Sequence, residues 1–117
     1  MRQPDPAAAA KAVQMLDLLA EYFCEEKHWI KGSFHDEDGN RCLVGAMYLM
    51  RARHKLYGDA TRYYLLKALG WPATFPLAAF NDAYCESIEE LRRLIDTARA
   101  LAAADVEQAQ QSKRLAA

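Results

Sequence analysis

Twenty-two of the 117 residues are alanine, and most of them lie in long stretches that contain neither glycine nor proline. Alanine gives up no rotamer freedom and buries no polar group on entering a helix, which makes it the best helix former. The chain is therefore expected to be all-α. Its length suits one domain and leaves no room for a separate regulatory module. A chain of this size buries roughly two-thirds of the surface its unfolded form exposes, so it needs no disulfide or metal framework to fold. We expect a compact bundle of about four principal helices, with a single helical domain over 1–105 and a polar, glutamine-rich C-terminal extension over 106–117.

Punctuation places the helices. Asp5-Pro6 is a helix start, since aspartate accepts from the first free N–H groups and proline tolerates the first helical position. Val13, Leu16, Ala20 and Phe23 then recur at helical spacing, with Leu19 and Tyr22 widening the apolar face, which predicts a helix to about Lys27. Gly32 breaks the pattern, and Asp38-Gly39 is a turn signal able to close a small β-hairpin near 33–41. With Asn40 as cap, a second helix is expected over about Arg41–His54. It is apolar almost all round from Cys42 to Met50, so it is expected at the centre of the bundle. Gly45 inside it costs about 1 kcal/mol against alanine, which suggests that it permits a close helix crossing. A third helix is expected from Asp59 to Gly70 with Tyr63, Leu66 and Leu69 inward. Ala73–Cys85 reads as a short helical turn between irregular joints. Ser87 and Glu90 form a capping box that opens a fourth helix, with Ile88, Leu91, Leu94, Ile95, Ala98 and Leu101 on one face.

Charge and composition exclude several classes. Fifteen basic and sixteen acidic side chains give a net charge of -1, so overall basicity offers no argument for nucleic acid. The longest apolar runs fall far short of the ~20 residues that span a bilayer. Asp5, Lys11 and Asp17 stand where the apolar centre of a signal peptide would be. Cys24, Cys42 and Cys85 lack C-x-x-C spacing, which fits reduced thiols, so a cytoplasmic protein without a membrane partner is expected. The charge is nonetheless bipolar. Positions 41–67 balance to +5 and positions 17–38 to -5. Arg51, Arg53, His54, Lys55, Arg62 and Lys67 with the neighbouring Tyr57 are a candidate basic surface for phosphates. The plainer reading is mutual neutralisation of the two surfaces, with cations complementing a helix C-terminus.

Candidate chemistry gathers at Cys42. A thiol in the first turn of a helix feels the positive end of the dipole, which suits a nucleophile. Of the three imidazoles, His28, His35 and His54, His35 is the most easily brought close. Against this, Cys42 opens the most apolar helix and lies in no cysteine-hydrolase signature. Free cysteines are also among the most buried residues, so it is expected to be shielded. The acidic loop 35–40 fails as a calcium loop: with Gly39 as the loop glycine, Phe34 falls at the first ligand position and Gly45 at the glutamate. No metal or cofactor is expected. Asn81-Asp82, between apolar neighbours, suits the capping of a nearby loop. The alternative sets Asn81 and Asp82 beside Cys42 and the Trp29–Gly32 turn, with His35 near, as the wall of a small pocket.

Trp29-x-x-Gly32, Cys42-x-x-Gly45-Ala46 opening a helix, and Asn81-Asp82 ahead of a leucine-rich helix together resemble an uncharacterised family of small helical proteins of bacteria and their phages, over roughly Leu16–Ile95. In that family a tryptophan commonly precedes the Asn-Asp pair, where this chain has Phe80. The resemblance implies a helical fold and brings no assigned reaction, cofactor or catalytic residue. Three functional classes stay open. First stands a non-catalytic interaction or regulatory protein that binds another macromolecule, with another protein as the expected partner. Behind it stand an enzyme or small-ligand binder centred on Cys42, Asn81 and Asp82, and a nucleic-acid binder using the basic 51–67 stretch.

Overall fold

The computed structural model describes residues 2–116, so the two end residues of the expected domain and extension lie outside it. Five helices follow in order: α1 (Pro6–Tyr22), α2 (Leu43–His54), α3 (Asp59–Leu69), α4 (Leu77–Ala79) and α5 (Ile88–Ala116). A 3-10 turn occupies Glu26–His28, and a π turn over Phe80–Tyr84 continues α4. The all-α bundle expected from the alanine content is what forms. No helix among the described residues is long and apolar enough to cross a membrane.

The alanines do more than favour helix. Ala9 and Ala12 of α1 and Ala98 and Ala102 of α5 are fully buried or nearly so, and side chains this small let helices approach closely. The two helices run antiparallel: Gln3 bonds Asp105, Asp17 pairs with Arg99, and Arg92 donates to the carbonyls of Phe23 and Cys24. Leu16, Leu19, Leu91 and Ile95 fill the space beside them, and α3 closes that core with Tyr64 and Leu65. The Tyr64 hydroxyl donates to Asp105 at 2.7 Å. Burial first, and Asp105 second, push its pKa up, so it stays a donor.

α2, expected at the centre, lies to one side of this core. Leu43, Ala46, Met47 and Met50 are buried, while Tyr48 and the Arg51–His54 end face solvent. An exposed tyrosine beside a basic helix end leaves a surface to explain. In α3 the buried face is Thr61, Tyr64, Leu65 and Leu66. Tyr63 and Leu69, expected inward, are half-buried, because the face turned to α1 and α5 centres on Thr61, Tyr64 and Leu65 and leaves both at its flanks.

Boundaries moved where long-range partners intervene. Helix α1 stops at Tyr22, not near Lys27, because its last carbonyls are taken from outside the helix. Arg92 grips Phe23 and Cys24, and the Tyr22 carbonyl accepts from Nδ1 of His28 at 3.0 Å. The expected hairpin near 33–41 is absent, and only isolated bridges join Arg41 to Trp29 and to His35. Asp36 closes that turn instead, accepting from the backbone of Asp38 and Asn40 and from the Asn40 side chain. Asn40 is thereby occupied and does not cap α2. Cys42 does so, its sulfur accepting from the Gly45 N–H at 3.3 Å. The box at α5 forms with a shift of one residue: Ser87 accepts from Glu90 N–H, and Glu90 reaches back to the N–H of Glu86. Helix α5 itself continues to Ala116, mostly exposed beyond Val106.

Gly45 answers to a loop, not to a helix crossing. A Cβ there would lie 1.9 Å from the Phe34 carbonyl oxygen, which itself accepts from the Cys42 N–H at 3.3 Å. Backbone cannot yield as a flexible side chain does. Gly45→Ala should therefore cost about 2–4 kcal/mol in urea unfolding. Gly58→Ala, where the added Cβ meets only the mobile end of Met47 at 3.3 Å, should cost less than about 1 kcal/mol. Equal effects would mean that the loop does not rest on Gly45.

Candidate functional site

The π turn presents two consecutive buried residues, Phe80 and Asn81, and turns Asp82 to the exterior. Asn81 is fully buried. Its Oδ1 accepts from Trp29 Nε1 at 2.7 Å and from the Leu43 N–H at 3.0 Å. Its Nδ2 donates to the Ile30 carbonyl at 3.0 Å and to Asp82 Oδ1 at 2.9 Å. Asp82 Oδ1 also accepts from the Gly32 N–H at 2.9 Å. A carboxamide offers two donors and two acceptor lone pairs, and here all four are engaged. Trp29, Gly32, Asn81 and Asp82 therefore converge through direct hydrogen bonds that cap the Trp29–Gly32 loop and the first turn of α2.

Cys42 stands next to this network and is 2% exposed. Burial pushes its thiol pKa up and the charge of Asp82 adds to this, outweighing the N–H groups of Gly45 and Val44 that favour the thiolate. The helix-dipole effect considered from the sequence is present and is overcome. His35 is exposed in the outer loop, bridged through its backbone to Arg41, and no ring contact joins it to Cys42. At this hub Asn81 is fully paired and Cys42 is shielded, while the Asp82 carboxylate is exposed.

The basic residues part company in space. Arg62 is turned inward, donating to the Ala73 and Phe75 carbonyls at 2.9 and 2.8 Å and so clamping the segment that leads to α4. Lys67 lies over Tyr63, 5.9 Å from the ring centroid. Arg51 lies 5.3 Å from the ring centroid of Tyr57. Arg53 and His54 are exposed in the last turn of α2, and Lys55 caps it in the left-handed conformation, φ 58°. Among the described residues none of these side chains forms an ion pair. The two pairs present are Lys27 with Glu25 and Arg99 with Asp17. No ion pair joins these basic residues to the acidic ones among the described residues, and Arg51, Arg53 and His54 stand in the last turn of α2, where cations complement the helix dipole.

Several hollows lie outside the expected site, among them one of about 470 Å³ between α1 and the outer part of α5 that includes Val13 and Val106, and one flanked by exposed aromatic side chains. A groove of about 350 Å³ runs between α2, the start of α3 and α4, with Val44, Met47, Pro76 and Leu77 among its lining and Phe34, Tyr48 and Arg51 along its rim. A second hollow of about 330 Å³ shares Tyr48 and Arg51 and adds Lys55 and Tyr57, so the two form one continuous surface. Phe34 and Tyr48 meet edge to face at 5.8 Å, and they are 51% and 55% exposed. Of these aromatics, only Tyr57 stands within the basic 51–67 stretch of the sequence. The available signal for Phe34 was a lone large aromatic in a loop of acids. Tyr48 gave none, because it sits in a helix that reads as buried.

A family model described as a family of unknown function, DUF6197, matches residues 7–101. The match takes in the hub and the groove and stops within α5. No curated protein and no solved structure matches the chain.

Two outcomes test the hub. Asn81→Ala strands the Leu43 N–H, the Trp29 indole and the Ile30 carbonyl, and should cost about 3 kcal/mol or more in urea unfolding. A loss under about 1 kcal/mol would show that water replaces the amide. With iodoacetamide near pH 7, Cys24, which is exposed, should be modified first, while Cys42 and Cys85 wait on unfolding. Selective fast labelling of Cys42, read by mass spectrometry, would make it a nucleophile.

Proposed function

Since the chain belongs to the DUF6197 family, whose function is unknown, we propose from its surface that it is a non-catalytic interaction protein that holds another protein in the groove between α2 and α4. The observation that carries this reading is the exposure of Phe34, Tyr48 and Tyr57 beside Arg51 on one concave face. Aromatic and arginine side chains dominate the binding energy of protein interfaces. Phe34–Tyr48 and Arg51–Tyr57 are already packed in pairs, so little side-chain entropy is left to lose on docking.

The hub supports the same reading by what it has no capacity left to do. Asn81 has no free donor or acceptor for a substrate, and Cys42 is a buried, protonated thiol. For nucleic acid, one of the two cations that α3 would add to the α2 cluster, Arg62, is committed to two backbone carbonyls, and the other, Lys67, lies over Tyr63. We propose a regulatory or accessory factor, bacterial or phage as its motif resemblance implies and cytoplasmic as its three cysteines without C-x-x-C spacing suggest.

Photo-crosslinking in the native cell tests this. With p-benzoylphenylalanine in place of Tyr48, we expect protein adducts of defined mass that are missing when the same group replaces Gln111 on the exposed end of α5. No adduct at 48, or the same ladder from both positions, would refute a docking groove.

A further inference from the structure

We propose that the segment held in this groove is acidic: a short stretch of a partner protein that seats an aromatic or long aliphatic side chain on Val44, Met47 and Leu77 and sets a carboxylate between Arg51 and Lys55. This rests on the docking reading above and adds the chemistry of the partner. The floor is apolar, and burying one large side chain there supplies the attraction. Charge decides what flanks that side chain. Arg51 and Lys55 line the joined hollows against Asp59 alone, Arg62 being held to two backbone carbonyls, and no carboxylate pairs with Arg51 or Lys55 among the described residues. Stacking on Tyr57 fixes Arg51 without neutralising it.

Lys55 strengthens the assignment. It is the one non-glycine residue with positive φ among the described residues, at a helix-ending position that glycine occupies without strain. Lysine there carries a backbone strain that glycine would not, and it lines the second hollow with a cationic side chain.

This gives a variant that separates binding from folding. Lys55→Gly removes the charge and relieves the backbone, so it should melt no lower than wild type while binding more weakly. The probe is a fluorescein-labelled peptide, Gly-Glu-Asp-Phe-Glu-Leu-Gly, read by fluorescence anisotropy. Two controls carry lysine for each acid, or alanine for phenylalanine and leucine. We expect saturable binding of the probe and none of the controls, weakening as NaCl rises from about 50 to about 500 mM. Lys55→Gly and Arg51→Gln should each weaken it about threefold, and together about tenfold. Equal binding of the lysine control, no probe binding, or indifference to the double variant would overturn the acidic assignment. So would a single-stranded oligonucleotide that displaces the probe, or a dimer in sedimentation velocity that Tyr48→Ala abolishes. If crosslinking at position 48 succeeds and the peptide fails, the groove stands and its acidic occupant does not. If both fail, both readings fall.

Discussion

A single buried carboxamide joins parts of the chain that the helical core does not reach. Asn81 arrives on a π turn from one side and satisfies an indole, a loop carbonyl and the first N–H of α2 from the other. Leaving any of these groups dry and unpaired costs about 1–3 kcal/mol, whereas a made bond returns only about 1. The network therefore works mainly by prohibition: alternative placements of the 29–43 segment are expensive. The contact between α1 and α5 gives the bundle its stability, and the amide gives the irregular half its one arrangement.

The exposed surface follows from that arrangement. With Trp29, Ile30 and Gly32 held by Asn81 and Asp82, the loop returns across the bare face of Gly45, and the Phe34 carbonyl meets the Cys42 N–H. The Phe34 ring then stands against Tyr48 and forms one wall of the groove. The opposite wall, Pro76 and Leu77, is set by the same π turn and by Arg62, which holds the carbonyls of residues 73 and 75. Hub and groove are thus two faces of one construction. Polar groups are consumed on the inside so that apolar and cationic ones are displayed on the outside.

The short motifs gain a physical meaning from this. In W-x-x-G, tryptophan donates to Asn81 and the glycine, at φ 84°, takes a left-handed position while giving its N–H to Asp82. In C-x-x-G, the sulfur caps the helix by accepting from the glycine three residues on, and that glycine leaves room for the loop. Each motif is a separate stretch of one hydrogen-bond network. The residues proposed to meet a partner, Phe34, Tyr48, Arg51 and Lys55, lie between the motifs.

Local signals determined a good deal unaided. The alanine content and the placement of glycine and proline specified an all-α chain. Asp5-Pro6 and Ser87-x-x-Glu90 marked two helix starts, and Gly70 marked an end, because capping and backbone freedom act within four residues and need no tertiary partner. Tertiary structure decided the rest. The end of α1 depends on Arg92 and His28, the start of α2 on Cys42 and Asn81, and the absence of a hairpin on the side chain of Asp36. The inward and outward sides of α2 were illegible for a similar reason. A helix apolar all round carries no pattern that says which face the core will leave uncovered, and only the packing of α1, α3 and α5 against one another, with α2 at their side, left Tyr48 and Arg51 in solvent.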